Sequence, residues 1–560
     1  MIKQYLCLMV LFVAADYLCS PGLVLAANRT PFEPGSVQQR SSETLDYYRL
    51  QKKVKKAKEG KAAEKLIEKP EEPKAAPPEQ VERKIFVNKL EFGASEILSA
   101  EELQGIAKDY EGRTVAIDEL FEAVERTNEL YQSKKRYLAK AILPVQEVKE
   151  GTVRIRLIEG RVGDIWVENN QYTKSGFITY GINVASNELI DLKELERKIL
   201  RFNGIWDVQV HAELKPGQKV GTSDYNLIVE EPDQYELMAF VDNAGTKETG
   251  RERIGAFLKD VSVFGYLDQF TLGAVAADGT ESGSFLYSVP VCRQGTRLEG
   301  SYTFNQIEVK SGPYEPLDIA GDSSDVGGSL SHPFIVDSRK KLSAFVEYHR
   351  KKSTTEYAGV VNAEVISKDA GVGADFEYST DNGFWKTRHT LTDGRDNDQD
   401  DLHFLKYNAD LVWIQRLKEN LTSVVKASAQ FADSELLPAF DQFQIGGMSS
   451  VRGYTEGALS GDQGYIISGE LNVPLQFSGA AEYLNNKING FVFVDHGGAF
   501  PFKAGGASIN HDDFLTSVGC GLDFAFSKWL SGRLHFAVPL GDREPDQPDV
   551  RGHFYLQSNI

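Results

Sequence analysis

From Gln234 onward the chain reads as strands alone, and most of them are apolar on one face only. Lys341 to Arg350 alternates. Leu342, Ala344, Val346 and Tyr348 fall on one side, and Lys341, Ser343, Glu347 and His349 on the other, with Phe345 as an aromatic on the polar side. Arg297 to Phe304 alternates too, and Leu402 to Arg416 does so less strictly. Tyr465 to Val473 sets Ile467, Leu471 and Val473 against Ser468, Glu470 and Asn472. Such strands need an apolar medium on one side and a polar one on the other. A soluble β-sandwich meets that need with shorter strands. A transmembrane barrel meets it with long ones, lipid outside and a polar lumen within. No apolar run of helical transmembrane length follows residue 30, which argues against a helical membrane protein and leaves a barrel open. Residues 232–560 number 329, and at about 20 residues per strand with its loop they accommodate roughly sixteen strands.

The N-terminus reads as a secretory signal. Lys3 opens it, Leu6 to Val13 is apolar, and Val24-Leu-Ala-Ala27 offers small residues for cleavage, so residues 1–27 are expected to be removed. Cys7 and Cys19 would leave with them, and Cys292 and Cys520 alone make no disulfide framework. A formal net charge of −19 argues against a nucleic-acid partner.

Residues 28–80 differ from the rest. Ser41 to Lys69 is expected to be helical, and Arg49 to Lys74 holds ten Lys/Arg against five Asp/Glu. A basic helix can lie on a membrane, sit in an acidic channel or remain a solvated arm. Pro70, Pro73, Pro77 and Pro78 mark a linker after it.

Residues 81–161 and 162–231 read as two small α+β modules in tandem. In the first, Ile85 to Phe92 is strand-like and Ser99-Ala-Glu-Glu102 is a capping box for a helix from about Ala100. A longer helix opens at Ile117-Asp118, and strands are expected at Ala141 to Gln146 and Thr152 to Glu159. In the second, strands cover Gly163 to Glu168, Val208 to Leu214 and Asp224 to Glu230, and a helix begins at Asp191-Leu192.

Phe443 to Gly464 is rich in glycine and carries Val451-Arg452-Gly453-Tyr454. About forty residues later comes Phe493-x-Asp495-x-Gly497. A loop that enters a pore must be held there. A guanidinium makes a forked, charge-assisted contact with a carboxylate, Gly453 permits a sharp backbone turn, and Tyr454 adds an aromatic wedge. The plainer alternative is an exposed loop arginine and an aspartate ending a strand. Asp495 shares parity with Phe491 and Phe493 in a segment apolar on both faces, so periodicity alone does not place it inside.

The sequence resembles the two-partner secretion transporters, the TpsB proteins of the ShlB/FhaC/HecB type, over nearly the whole mature chain. The strongest part is Phe443 to Pro474, where Gln-Ile-Gly-Gly, Val-Arg-Gly-Tyr, Gly-Asp-Gln-Gly and Gly-Glu-Leu-Asn-Val-Pro are similar to the family's pore-loop signature and the strand after it. Phe493, Asp495 and Gly497 are similar to the partner motif on a later barrel strand. Tyr287 to Val291 with Gly295-Thr-Arg297, and Ser331-His-Pro-Phe334, resemble further barrel segments. The resemblance implies a transmembrane barrel of about 16 antiparallel strands at 232–560 and two periplasmic POTRA domains at 81–161 and 162–231. It also implies, within 28–80, that the segment near 41–69 is the N-terminal plug helix, followed by its linker. Val451, Arg452, Gly453 and Tyr454 would form the pore-loop motif, and Phe493, Asp495 and Gly497 the strand motif that anchors it.

The function implied is an outer-membrane pore of a Gram-negative-type bacterium. It would take an unfolded exoprotein through its POTRA domains and pass it to the cell surface without ATP. The partners implied are a large secreted exoprotein of adhesin or cytolysin type, outer-membrane lipids and, during biogenesis, the barrel-assembly machinery. Whether the chain also activates a hemolysin-like partner stays open. An outer-membrane assembly insertase is the nearest alternative but usually carries more than two POTRA modules. A passive porin would carry none. The segment around Leu195 to Phe202 is a candidate groove for the exoprotein. Ile560 departs from the aromatic residue on which the superfamily usually ends.

The sequence offers no phosphate loop of the GxxxxGK[ST] type, and its nine histidines fall in no metal-ligand spacing. Nothing arranges Ser and His as a triad. No catalytic residues, cofactor or metal are therefore expected.

Overall fold

The computed structural model describes residues 34–40, 66–68, 84–397, 402–485, 487–503, 511–527, 529–541 and 548–559. The signal-peptide reading and most of the expected basic helix lie outside them. The helical residues described in this region are 34–40, ahead of the expected Ser41 to Lys69. The end of that expectation is corrected, because Ile67–Glu68 (β1) is a strand. It adds in parallel to β8 (Gln209–Pro216), with Ile67 opposite Ala212 and Glu68 opposite Glu213. The Ala212 N–H donates to the Leu66 carbonyl at 3.0 Å, and Leu66 and Ile67 pack on the neighbouring core. Backbone partners along a sheet edge outweigh the helix propensity of a short apolar step.

The first α+β unit contains β2 (Lys84–Val87), β3 (Lys89–Phe92), β4 (Arg113–Ala116), β5 (Lys140–Ile142) and β6 (Thr152–Ile158). Its helices are Ala100–Lys108 and Ile117–Ser133. The expected capping box is present: Ser99 Oγ accepts from the Glu102 N–H at 3.2 Å, and Glu102 accepts from the Ser99 N–H at 2.8 Å. In the second unit β8 and β9 (Thr222–Glu230) pair antiparallel, and β7 (Arg161–Glu168) runs parallel to β9. Helices Ser175–Ile182 and Leu192–Ile205 cover that sheet, and Asp191 caps the latter by accepting from the Lys193 and Glu194 N–H groups. The Ser175–Ile182 helix is not legible in the sequence pattern. Leu195, Ile199 and Phe202 are 3%, 0% and 1% exposed, so this segment is core and not an open groove for a partner.

The barrel begins with β10 (Tyr235–Asp242), β11 (Arg253–Asp260), β12 (Gln269–Ala277), β13 (Thr280–Pro290) and β14 (Arg297–Glu308). It continues through β15 (Ile319–Val336), β16 (Lys340–Tyr357), β17 (Val360–Thr380), β18 (Gly383–Asp396), β19 (His403–Lys418) and β20 (Leu421–Ala432). A long loop follows, containing the short hairpin β21 (Phe443–Ile445) and β22 (Leu459–Gly461). Then come β23 (Gln463–Pro474), β24 (Ile488–Phe500), β25 (Phe514–Ala525), β26 (Ser531–Pro539) and β27 (Arg551–Asn559). Strand β27 pairs with β10, Gln557 opposite Phe240, so all sixteen wall strands close into one antiparallel barrel. Closure leaves no sheet edge in the bilayer, where unpaired backbone groups cannot be satisfied.

The alternation expected at Lys341 to Arg350 is kept: Val346 and Tyr348 point outward, while Phe345 is buried inside with the Arg388 guanidinium 4.0 Å from its ring centre. On β24 the outward residues are Val492 and Val494. A Val494→Arg change puts a charge on that face and is expected to cost up to about 2–4 kcal/mol. Loss of the heat-modifiable folded band on a gel would report it, and an undiminished folded yield would show that this face does not meet lipid.

The second α+β unit is docked on the barrel. Arg201 donates to the carbonyls of Gln294 and Pro333, and Lys341 donates to the Gly204 carbonyl at 3.2 Å. Arg297 lies 5.6 Å from the Trp206 ring centre. The helix Leu192–Ile205 therefore meets the turns after β13 and β15. Cys292, beside this contact, and Cys520 are free thiols.

Candidate functional site: an arginine latch in the lumen

The loop between β20 and β23 folds into the lumen and presents Arg452 to the inner face of β24. Arg452 is 5% exposed and Asp495 0%. The contact is forked: Nε donates to Asp495 Oδ2 at 2.7 Å and Nη2 to Oδ1 at 2.8 Å. The Arg452 backbone N–H donates to Oδ2 at 3.1 Å, and Ser468 Oγ donates to Oδ1 at 2.7 Å. Asp495 thus accepts four hydrogen bonds. That number compensates for removing a carboxylate from water.

A second layer surrounds the fork. Arg452 Nη1 reaches Glu470 Oε2 at 3.1 Å on β23. Arg533 on β26 pairs with the other Glu470 oxygen and, through Nε, with Asp523 Oδ1 at 2.8 Å. Both guanidinium groups lie over aromatic rings, Arg452 3.4 Å from the Phe493 centre and Arg533 3.9 Å from that of Phe491. This explains the parity that the sequence left unresolved. Phe491, Phe493 and Asp495 all face inward because the two phenylalanines form the floor on which the arginines rest, a favourable cation–π arrangement in a desolvated site. The phenylalanines fit because Gly521 and Gly519 oppose them on β25, where any Cβ would collide with their rings.

The remaining motif residues converge on the same place. Gly453 has φ +103°, a conformation that side-chain-bearing residues rarely adopt. Tyr454, 2% exposed, donates from its hydroxyl to the Thr516 carbonyl at 3.1 Å on β25. Val451 is fully buried with Ile445, Ala499 and Leu515. A Cβ on Gly497 would stand 3.4 Å from Val451 Cγ2 and 2.7 Å from the Tyr465 carbonyl, so the loop tip approaches β24 closely at that glycine. All seven motif residues are brought together. Sequence reasoning missed Arg533 and did not assign Glu470 or Ser468 to the site. The signal for Arg533 was available in the alternation of β26, where Arg533, His535 and Ala537 are buried and Leu534, Phe536 and Val538 are exposed.

A closed sixteen-stranded barrel thus holds an in-folded loop by arginine, behind two small α+β units. Residues 221–524 match the family model described as haemolysin secretion/activation protein ShlB/FhaC/HecB, more than half of the chain. This chain belongs to that family. Residues 85–160 match the ShlB-type POTRA domain. The chain is 28% identical over 479 residues to the heme/hemopexin transporter protein HuxB of Haemophilus influenzae (strain 86-028NP), covering 81% of this chain and 83% of that one. Its fold is similar to that of CdiB from Escherichia coli, with TM-score 0.62 and 16% identity over 96% of this chain and 100% of that one. It is likewise similar to CdiB from Acinetobacter baumannii, with TM-score 0.63 and 17% identity over 94% and 98%. As a member of the ShlB/FhaC/HecB family the chain is an outer-membrane transporter of the two-partner secretion class, with its POTRA domains in the periplasm. Membership favours this reading over the assembly insertase.

Proposed function

We propose that this transporter takes a large unfolded exoprotein from the periplasm and threads it past the loop held by Arg452 and Asp495. Folding of the exoprotein outside the cell biases movement without ATP, and the chain performs no bond-breaking chemistry of its own. The observation that carries the proposal is the forked Arg452–Asp495 contact, which holds the in-folded loop to β24 inside a closed barrel. The helical residues 34–40 act as a plug in the resting state and leave during transport. Capture in the periplasm proceeds by strand addition to POTRA sheet edges, where backbone hydrogen bonds accept many sequences. The pairing of β1 with β8 supports this, since that edge already accepts an extended segment. The partners are the exoprotein, outer-membrane lipids around the barrel and the barrel-assembly machinery during insertion.

The test is secretion of a partner exoprotein co-produced with the wild type or with Arg452→Lys. Lysine keeps the charge and loses the fork. The variant is expected to secrete severalfold less from an equal amount of folded barrel. Full secretion by the variant would overturn the role given to the fork, and no surface exoprotein with the wild type would overturn the reading as a whole.

A further inference from the structure

The loop is held at a second place, through different residues and different strands. Asp441, at the start of the in-folded loop, has a side chain with 0% exposure. Its Oδ1 accepts from Lys351 Nζ on β16 at 2.7 Å and from Lys406 Nζ on β19 at 2.6 Å. Lys351 also pairs with Asp369 Oδ2 on β17 at 2.6 Å, and Asp369 Oδ1 accepts from Ser367 Oγ at 2.7 Å. Two lysines and two aspartates thus form a charge-balanced cluster. Gln430 on β20 ties the two arms of the loop together, donating from Nε2 to the carbonyls of Asp441 at 2.7 Å and Asp462 at 3.0 Å. The strands involved, β16, β17 and β19, precede β20 in the wall. Those of the arginine latch, β23, β24 and β26, lie beyond it.

This cluster adjoins residues 34–40. Phe440 packs on Gly35, where a Cβ would come within 2.8 Å of the ring, and Lys351 Nζ lies 5.6 Å from the centre of the same ring. Gln444, three residues after Asp441, accepts from Arg40 at 3.1 Å and donates to Gln39 at 3.0 Å. On the other side, Ser323 Oγ donates to the Pro34 carbonyl at 3.0 Å, and Gln38 donates to Thr303 Oγ1 at 3.3 Å. The helical segment is therefore wedged between the wall and the arm of the loop that Asp441 anchors.

We propose that the Lys351–Asp369–Lys406–Asp441 cluster is a second, releasable latch that seats residues 34–40 against the wall, with Asp441 as its positioning residue. The two latches differ in kind. Arg452 is forked and rests on an aromatic ring, whereas the lysines are point charges on flexible stems that hydrate well once freed. Buried ion pairs have little net stability over their hydrated parts because desolvation offsets attraction. The lysine latch can therefore open while the arginine latch holds, so the loop swings about Arg452 and releases the plug. The inference rests on the reading of residues 34–40 as a plug, but its readout is ion current and not secretion.

The experiment records currents of the full chain reconstituted in planar bilayers. Asp441→Asn leaves two lysines facing a neutral amide and is expected to raise the time-averaged current by about tenfold or more, while the barrel keeps its heat-modifiable band. Asp441→Glu is expected to restore the closed state, which a general loss of packing would not permit. An unchanged current from a folded Asp441→Asn barrel overturns the proposal. If that variant does not fold, Lys406→Gln is recorded instead, with the same rise expected and the same unchanged current as the overturning result. A chain that shows the rise but secretes nothing would refute the transport reading and leave the second latch standing.

Discussion

The Asp495→Asn barrel is expected to insert and close, yet to lose its grip on the pore loop and at least about nine-tenths of its secretion. The substitution removes the carboxylate that accepts from Arg452 Nε, Nη2 and backbone N–H and from Ser468. Removing one partner of a buried pair costs about 3–5 kcal/mol because the other charge stays desolvated, and each 1.4 kcal/mol is about tenfold in an equilibrium. Glu470 still neutralises part of the Arg452 charge, but from Nη1 alone and without a fork. The cost falls on the loop, since the β24 ladder to β23 and β25 is made by the backbone. Secretion and loop protease sensitivity are the measurements. A cycle with Arg452→Ala separates the latch from general damage: the double variant is expected to be no worse than either single one, the mark of two residues acting through one contact. Additive losses would show that the two act separately.

Phe202→Ala is expected to unfold the second POTRA domain while leaving the barrel closed. Phe202 is 1% exposed on the helix Leu192–Ile205, with its ring centre 6.4 Å from that of Trp206 and its edge pressed on Gly181. Emptying such a site costs about 3–5 kcal/mol in lost burial and cavity, a large share of what a domain of this size holds. The same helix carries Arg201 and Gly204 to the barrel turns, so the docking contacts go with it. Limited proteolysis of the full chain should cut within residues 162–231 and spare a barrel that still shifts on heating. Secretion should fall with it. A protease-resistant domain in this variant would show that the core repacks, and unimpaired secretion from a digested one would remove the POTRA domain from the transport path.

Much of the architecture was legible because its causes are periodic and local. Alternation needs only a polar lumen and an apolar bilayer and pointed to the barrel, and the length of the segment, at about 20 residues per strand with its loop, pointed to its strand number. The Ser99 and Asp191 caps are set by neighbouring side chains, so the helices they start were placed within a residue or two. Elements stabilised from a distance escaped. The helix Ser175–Ile182 has no capping side chain and packs Ile178 and Ile182 into a core contributed by β7, β8 and β9. Leu195 to Phe202 looked like a surface groove because an apolar helix face reads the same whether it is covered or open. Ile67–Glu68 joined a sheet whose edge lies about 145 residues further along the chain.

For the site, the sequence by itself determined the chemistry available: an arginine beside a glycine in one motif, an aspartate spaced between a phenylalanine and a glycine in another, and alternating strands to carry them. Only the tertiary structure decided that Asp495 points inward, since its parity partners are phenylalanines that look like lipid-facing residues. The physical reason is that Phe491 and Phe493 face a lumen made locally suitable for them, over glycines of β25 and under the guanidiniums of Arg533 and Arg452. Barrel closure supplies those neighbours, and one strand's pattern cannot contain them.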